Sequence, residues 1–73
     1  MDGSFRVQDF DVVVHNGTPY PEVILEAREQ ALRHLNDGER LVSVDLGKTG
    51  TAMRGNDELM TWPATLTARM APA

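Results

Sequence analysis

Residues 45–50 read Asp-Leu-Gly-Lys-Thr-Gly, and Gly47-Lys48-Thr49 is how a phosphate-binding loop ends. Such a loop works because glycines let backbone N–H groups curl around a phosphate, while the lysine reaches the outer phosphates and the hydroxyl holds magnesium. The full motif requires an earlier glycine at position 42, where this chain has Val42. It also requires a helix directly afterwards, to supply a dipole and free N–H groups. Residues 51–57, Thr-Ala-Met-Arg-Gly-Asn-Asp, form a poor helix and a good turn. The sequence therefore argues against nucleotide binding here. It favours a long hairpin arm that twists or bulges at Gly47 and Gly50, with Gly55-Asn56-Asp57 at its tip.

The remaining reactive residues are sparse. His15 and His34 are the only histidines, and they lack the one-turn spacing of a helical metal site. Asp9 and Asp11 share one side of an alternating stretch. Paired carboxylates divide acid and base roles only when a pocket gives them different environments; on an open strand they keep a face wet and discourage edge pairing. There is no cysteine and no serine in a Gly-x-Ser-x-Gly setting, so common covalent schemes lack a carrier. Trp62 is the one tryptophan. It is either the core anchor of a small domain or a stacking platform for a planar ligand, and buried area is the commoner use. The expectation is no catalytic residue, no metal ligand and no cofactor, with Trp62 as the single weak candidate for a cofactor contact.

Composition narrows the class further. A chain of 73 residues makes one small domain. Domains this short bury only roughly 60% of their unfolded surface, and without cysteine they depend on packing or on a partner chain. Seven basic against eleven acidic residues, a net charge of −4, oppose general nucleic-acid affinity. No apolar run approaches the ~20 residues of a membrane span. The first residues carry no basic-then-apolar leader pattern. A cytoplasmic protein without membrane or nucleic-acid contact is the resulting expectation.

These residues must be positioned by four elements in the order β-α-β-β. Thr18-Pro19-Tyr20-Pro21 predicts a helix starting at Pro21 or Glu22, because proline suits a first turn. It should run to residue 36 and stop before Gly38. Its apolar stripe centres on Ile24, Ala27, Ala31 and Leu35, with Val23 on one flank and Leu25 and Leu32 on the other. The first strand spans residues 5–15, with a phase slip near Gln8-Asp9 that suggests a bulge. The second spans 40–46, with Val42, Val44 and Leu46 on one side and Leu41 on the other. The third spans 59–70, with Met60, Trp62, Ala64, Leu66, Ala68 and Met70 on one face. Pro63 cannot donate to a ladder and belongs on an edge or at a bulge. The predicted fold is a single α+β domain over 1–73, one helix on a three-stranded antiparallel-rich sheet, with short frayed ends and an open strand order.

The lengths of these elements do not match. A strand of 12 residues reaches roughly 40 Å, and one helix of about 16 residues reaches roughly 24 Å. The ends of the apolar face should lack cover, and Leu25 and Leu32 should be left over on the helix. Met60, Trp62, Ala68 and Met70 with Leu25 and Leu32 are the interface candidates, because exposed apolar patches mark contacts. The expectation is a self-associating, non-enzymatic interaction module, most simply a dimer, with a protein partner as a further option.

The β-α-β-β order over 73 residues is similar to that of dodecins, small flavin-binding proteins that assemble into dodecamers. Dodecins carry an aromatic near the start of the second strand that stacks on the flavin. Here that stretch reads Glu39-Arg40-Leu41, and Trp62 lies on a different strand. The resemblance is one of architecture, and it implies the alternative function: binding or storage of a planar, flavin-like ligand.

Overall fold

The computed structural model describes residues 4–71. The elements are β1 (Phe5–His15), α1 (Tyr20–Leu32), β2 (Glu39–Leu46), β3 (Thr51–Ala52) and β4 (Leu59–Met70). The sheet order is β1-β4-β2, with β3 also paired to β4, and all pairings are antiparallel. One helix covers one face, so the α+β arrangement expected from the sequence is the one found. The additional strand, β3, is only two residues long, and it continues the β2 arm after an interruption. Of the expected frayed ends, residues 1–3 and 72–73 lie outside the described residues, while Ala71, expected in the frayed tail, donates its N–H to the Gly38 carbonyl at 2.7 Å.

The longest alternating segment is the central strand. Its alternation fixes which face is buried: Ala64, Leu66 and Ala68 are enclosed, while Thr65, Thr67 and Arg69 point away from the helix. β1 pairs with β4 in unbroken register from Phe5↔Arg69 to His15↔Leu59. The expected bulge near Gln8-Asp9 is therefore absent. The apolar phase changes there for another reason. Phe10, Val12 and Val14 face the helix, and Arg6 and Gln8 share that face but lie beyond the helix end. Phe5 and Val7 stand on the outer face, 56% and 64% exposed.

The bulge sits in β2 instead. Register shifts between Leu41↔Ala68 and Ser43↔Thr67, leaving Val42 as the extra residue. This reverses the face of Leu41, which packs against the core, while Val42 is 46% exposed. Pro63 lies in the central strand rather than on an edge. Its carbonyl accepts the Gly47 N–H at 2.7 Å. Since N–H and C=O of one residue in an antiparallel ladder point to the same neighbour, the missing donor faces Gly47, where β2 has ended and the chain turns out into residues 47–50.

The helix starts one residue earlier than expected and ends four earlier. Pro19, extended at φ −61° and ψ 146°, precedes it, and Glu22 occupies the first turn. Beyond Leu32 the chain tightens: Arg33, His34 and Leu35 donate to Gln30, Ala31 and Leu32. Two side chains hold this ending. Arg6 Nη2 donates to the His34 carbonyl at 3.1 Å, and Glu39 Oε1 accepts the Asn36 N–H at 2.7 Å. The buried stripe is Val23, Ala27 and Ala31, so Val23 is central and Ile24, at 42% exposed, is marginal. Gln30 reaches the outer edge of β1: Val13 N donates to Oε1 at 3.0 Å, and Nε2 donates to Val13 O at 2.8 Å. That side-chain amide occupies one pairing position on an otherwise open edge.

Candidate functional site

The Gly-Lys-Thr-Gly stretch is the interruption between β2 and β3. Between the pairs Leu46↔Ala64 and Thr51↔Thr61, residues 47–50 lie opposite only 62 and 63. The excess loops outward, with Lys48 and Thr49 exposed at its apex. The glycines flank it because the backbone presses on β4. A Cβ on Gly47 would stand 2.5 Å from Pro63 Cγ, and one on Gly50 would stand 2.6 Å from Trp62 Nε1. Past Gly50 the chain enters strand β3 and then a turn with Gly55 at φ 77°. Among the described residues no helix N-terminus stands at this loop.

Trp62 lies on the helix side of β4 and is half-buried. Gly50 presses on its indole, and the Tyr20 ring meets it edge-on at 5.4 Å between centroids. Its Nε1 is enclosed without a hydrogen-bond partner among the described residues. Three surface hollows are lined by other residues, and Trp62 borders none of them.

The two histidines stand apart, His15 at the end of β1 and His34 after α1, beside Gln8 and Phe10 of that strand. His15 pairs with Leu59, whereas His34 lies 5.0 Å from the Phe10 ring, with Nδ1 3.3 Å from Gln8 Nε2. Among the described residues no group of three or more histidines and carboxylates is placed to hold a metal ion. Asp9 and Asp11 are on the outer sheet face, as expected. Asp9 Oδ1 accepts the Thr65 hydroxyl at 2.8 Å. Asp45 pairs with the same Thr65 from the other side. The three aspartates border one shallow hollow with Gly47 and Pro63. Sequence reading missed this grouping, because it depends on β4 lying between β1 and β2.

A polar node lies beyond the helix end. Arg6 donates to both Glu39 carboxylate oxygens, Nε to Oε2 at 2.9 Å and to Oε1 at 3.2 Å, and Nη2 to Oε1 at 2.8 Å. The Glu39 side chain is only 6% exposed. The Arg6 hydrogen bonds, the Asn36 N–H and the Arg6 charge outweigh desolvation and hold the Glu39 carboxyl down at about 2, against an ordinary 4.5. A depressed folded-state pKa contributes stability that is full above 4.5 and is lost as pH falls through about 2. Glu39→Gln should therefore lower the melting temperature at neutral pH. It should also flatten the fall in melting temperature between pH 4.5 and pH 2, relative to the parent, in thermal scans by circular dichroism.

The interface candidates separate by exposure. Leu25 and Leu32 stand on the outer face of α1, 64% and 54% exposed, and Met70 is 62% exposed. Met60 and Trp62 are partly covered and pack against the core. Ala68 is fully buried. It offers no surface to a partner, because it belongs to the core cluster against which Leu35 and Leu41 pack. Among the described residues no helix is long and apolar enough to cross a membrane. No family model, curated protein or solved structure matches the chain. The likeness to dodecins rests on element order alone.

Proposed function

We propose that the protein is a self-associating, non-enzymatic interaction module that works as a dimer. One observation carries this reading. Nine large apolar side chains are exposed among the described residues, as many as the nine buried hydrophobic residues, and four of those nine are alanines. Scattered exposed apolar residues are ordinary, but these are grouped. Phe5 and Val7 are neighbours on the bare sheet face, and Leu25 and Leu32 lie two turns apart on the outer helix face. A domain with so thin a core gains most from a second copy. The alternative, a planar ligand on Trp62, has less support because Gly50 and Tyr20 already pack against that ring.

Sedimentation velocity over a wide concentration range tests the reading. The expected result is a species of twice the 8.1 kDa chain mass, dissociating on dilution. A single 8.1 kDa species at millimolar concentration would contradict it.

A further inference from the structure

We propose that the sheet face opposite α1 is a two-fold interface with a second copy of this chain, in which Arg40 of the partner subunit enters the aspartate-lined hollow. The inference rests on the self-association just proposed and assigns the surface responsible.

The charges on this face are sorted into rows across the strands. Phe5, Arg69 and Arg40 form one row, since both flanking residues pair with Arg69. Val7, Thr67 and Ser43 form the next, followed by Asp9, Thr65 and Asp45. Asp11 and Pro63 come after, with Gly47 against Pro63. Like charges thus stand together within rows: Arg40 is directly opposite Arg69, and Asp9 and Asp45 flank one threonine. Like charges directly opposite, as Arg40 and Arg69 are, destabilise a sheet. Arg69 lies over the Phe5 ring, 5.6 Å from its centroid, while Arg40 is exposed.

The basic and acidic rows are four residues apart along β4, about 13 Å at the rise of a strand. A two-fold axis lying across the strands, through the Val7–Thr67–Ser43 row, superposes the basic row of each copy on the acidic row of the other. It sets Arg40 of the partner subunit over Asp45, and Val7 over Val7 of the partner subunit. An axis along the strands would stack arginine on arginine. The pivot row carries no side chain bulkier than valine, which permits the roughly 10 Å approach of stacked sheets. The hollow also suits a guanidinium. Three carboxylates border it, its floor is Pro63 and a residue without a side chain, and a guanidinium carries five donors for carboxylate oxygens.

Arg40→Glu and Asp45→Arg test the arrangement. Each alone sets like charge on like at both symmetric contacts, and such juxtaposition costs several kcal/mol. Each should raise the dissociation constant on the order of 100-fold. Mixed in equal amounts, the two variants should dimerise again, because every position 40 then faces a position 45 of opposite sign. Native mass spectrometry would identify that species as a one-to-one heterodimer. The rescue by mixing also excludes misfolding of either variant. If both variants dimerise as the parent does, or the mixture stays monomeric, this interface is overturned while self-association through another face stands. A monomeric parent protein overturns both, and leaves the hollow to an arginine-bearing partner of another kind.

Discussion

Leu66→Ala is expected to lower the melting temperature by at least about 10 °C and to populate the unfolded chain at room temperature. Leu66 is fully enclosed, sits mid-way along the central strand, and pairs with Gln8 on one side and Val44 on the other. Truncating a buried leucine typically costs about 2–5 kcal/mol, the larger values applying where the surroundings cannot close over the cavity. Here they are poorly able to do so. Ala27, Ala31, Ala64 and Ala68 make up much of the core, and alanine has no side-chain torsion with which to fill a void. Single domains are stable by only about 5–15 kcal/mol, and one this small belongs at the lower end. Val42→Ala, at the exposed bulge, is the control and should change stability by less than about 0.5 kcal/mol. Urea unfolding followed by circular dichroism measures both. A Leu66→Ala loss no greater than that of the control would mean that the helix does not pack on β4 as described. If the parent is dimeric, the loss must be measured at one fixed chain concentration, because association adds to apparent stability.

The fold was legible where a single period ran uninterrupted. The alternation from Met60 to Met70 identified the strand, its buried face and its length, because one sheet face meets the helix along the middle of that run. The helix was legible from Pro21 and the spacing of Ala27 and Ala31. Its end was not. Residues 33–36 are acceptable helix formers, and the chain leaves the helix there because Arg6 and Glu39, distant in sequence, hold the His34 carbonyl and the Asn36 N–H. The same contact explains the misplaced bulge. Arg6 and Gln8 are polar yet face the helix side, since the node needs them there. A polar residue on an apolar face resembles a phase slip when only one strand is in view. The bulge at Val42 left no such mark, because Leu41 and Val42 are both apolar and either could face inward.

The candidate site was less legible than the fold because its residues come from three strands. Asp9 and Asp11 were visible as a pair on one strand. Asp45 joins them only because β4 separates β1 from β2, and local pattern does not determine strand order. Arg40 stood in the sequence as an ordinary polar residue at a strand start. Its place beside Arg69 and two rows from the aspartates is a property of register. Burial also divided the apolar candidates in a way periodicity could not. Ala68 and Met70 share a face and a strand end, yet one is enclosed and the other is 62% exposed.

Gly50→Ala is expected to destabilise the chain by about 1–3 kcal/mol, the usual range for forcing added volume into a packed site. The substitution also reports on Trp62. A Cβ at position 50 would stand 2.6 Å from Nε1 and 2.7 Å from Cε2 of that ring, well inside contact distance. Met60 is the other close neighbour, and its flexible end can move aside. The indole has less freedom, because Tyr20 meets it edge-on and its backbone is held in the β1 ladder opposite Val12. Either the ring turns out toward solvent or the loop at residues 47–50 lifts from β4. Both raise its exposure to water, so its fluorescence emission should shift to longer wavelength along with the loss of stability. Lys48→Ala changes the same loop at its exposed apex and should leave stability and emission as they are. That pair of outcomes separates two uses of Gly-Lys-Thr-Gly: a loop shaped to hold a phosphate depends on its lysine, whereas a backbone pressed against a tryptophan depends on its glycine. Equal sensitivity at positions 48 and 50 would argue against the packing role assigned to Gly50.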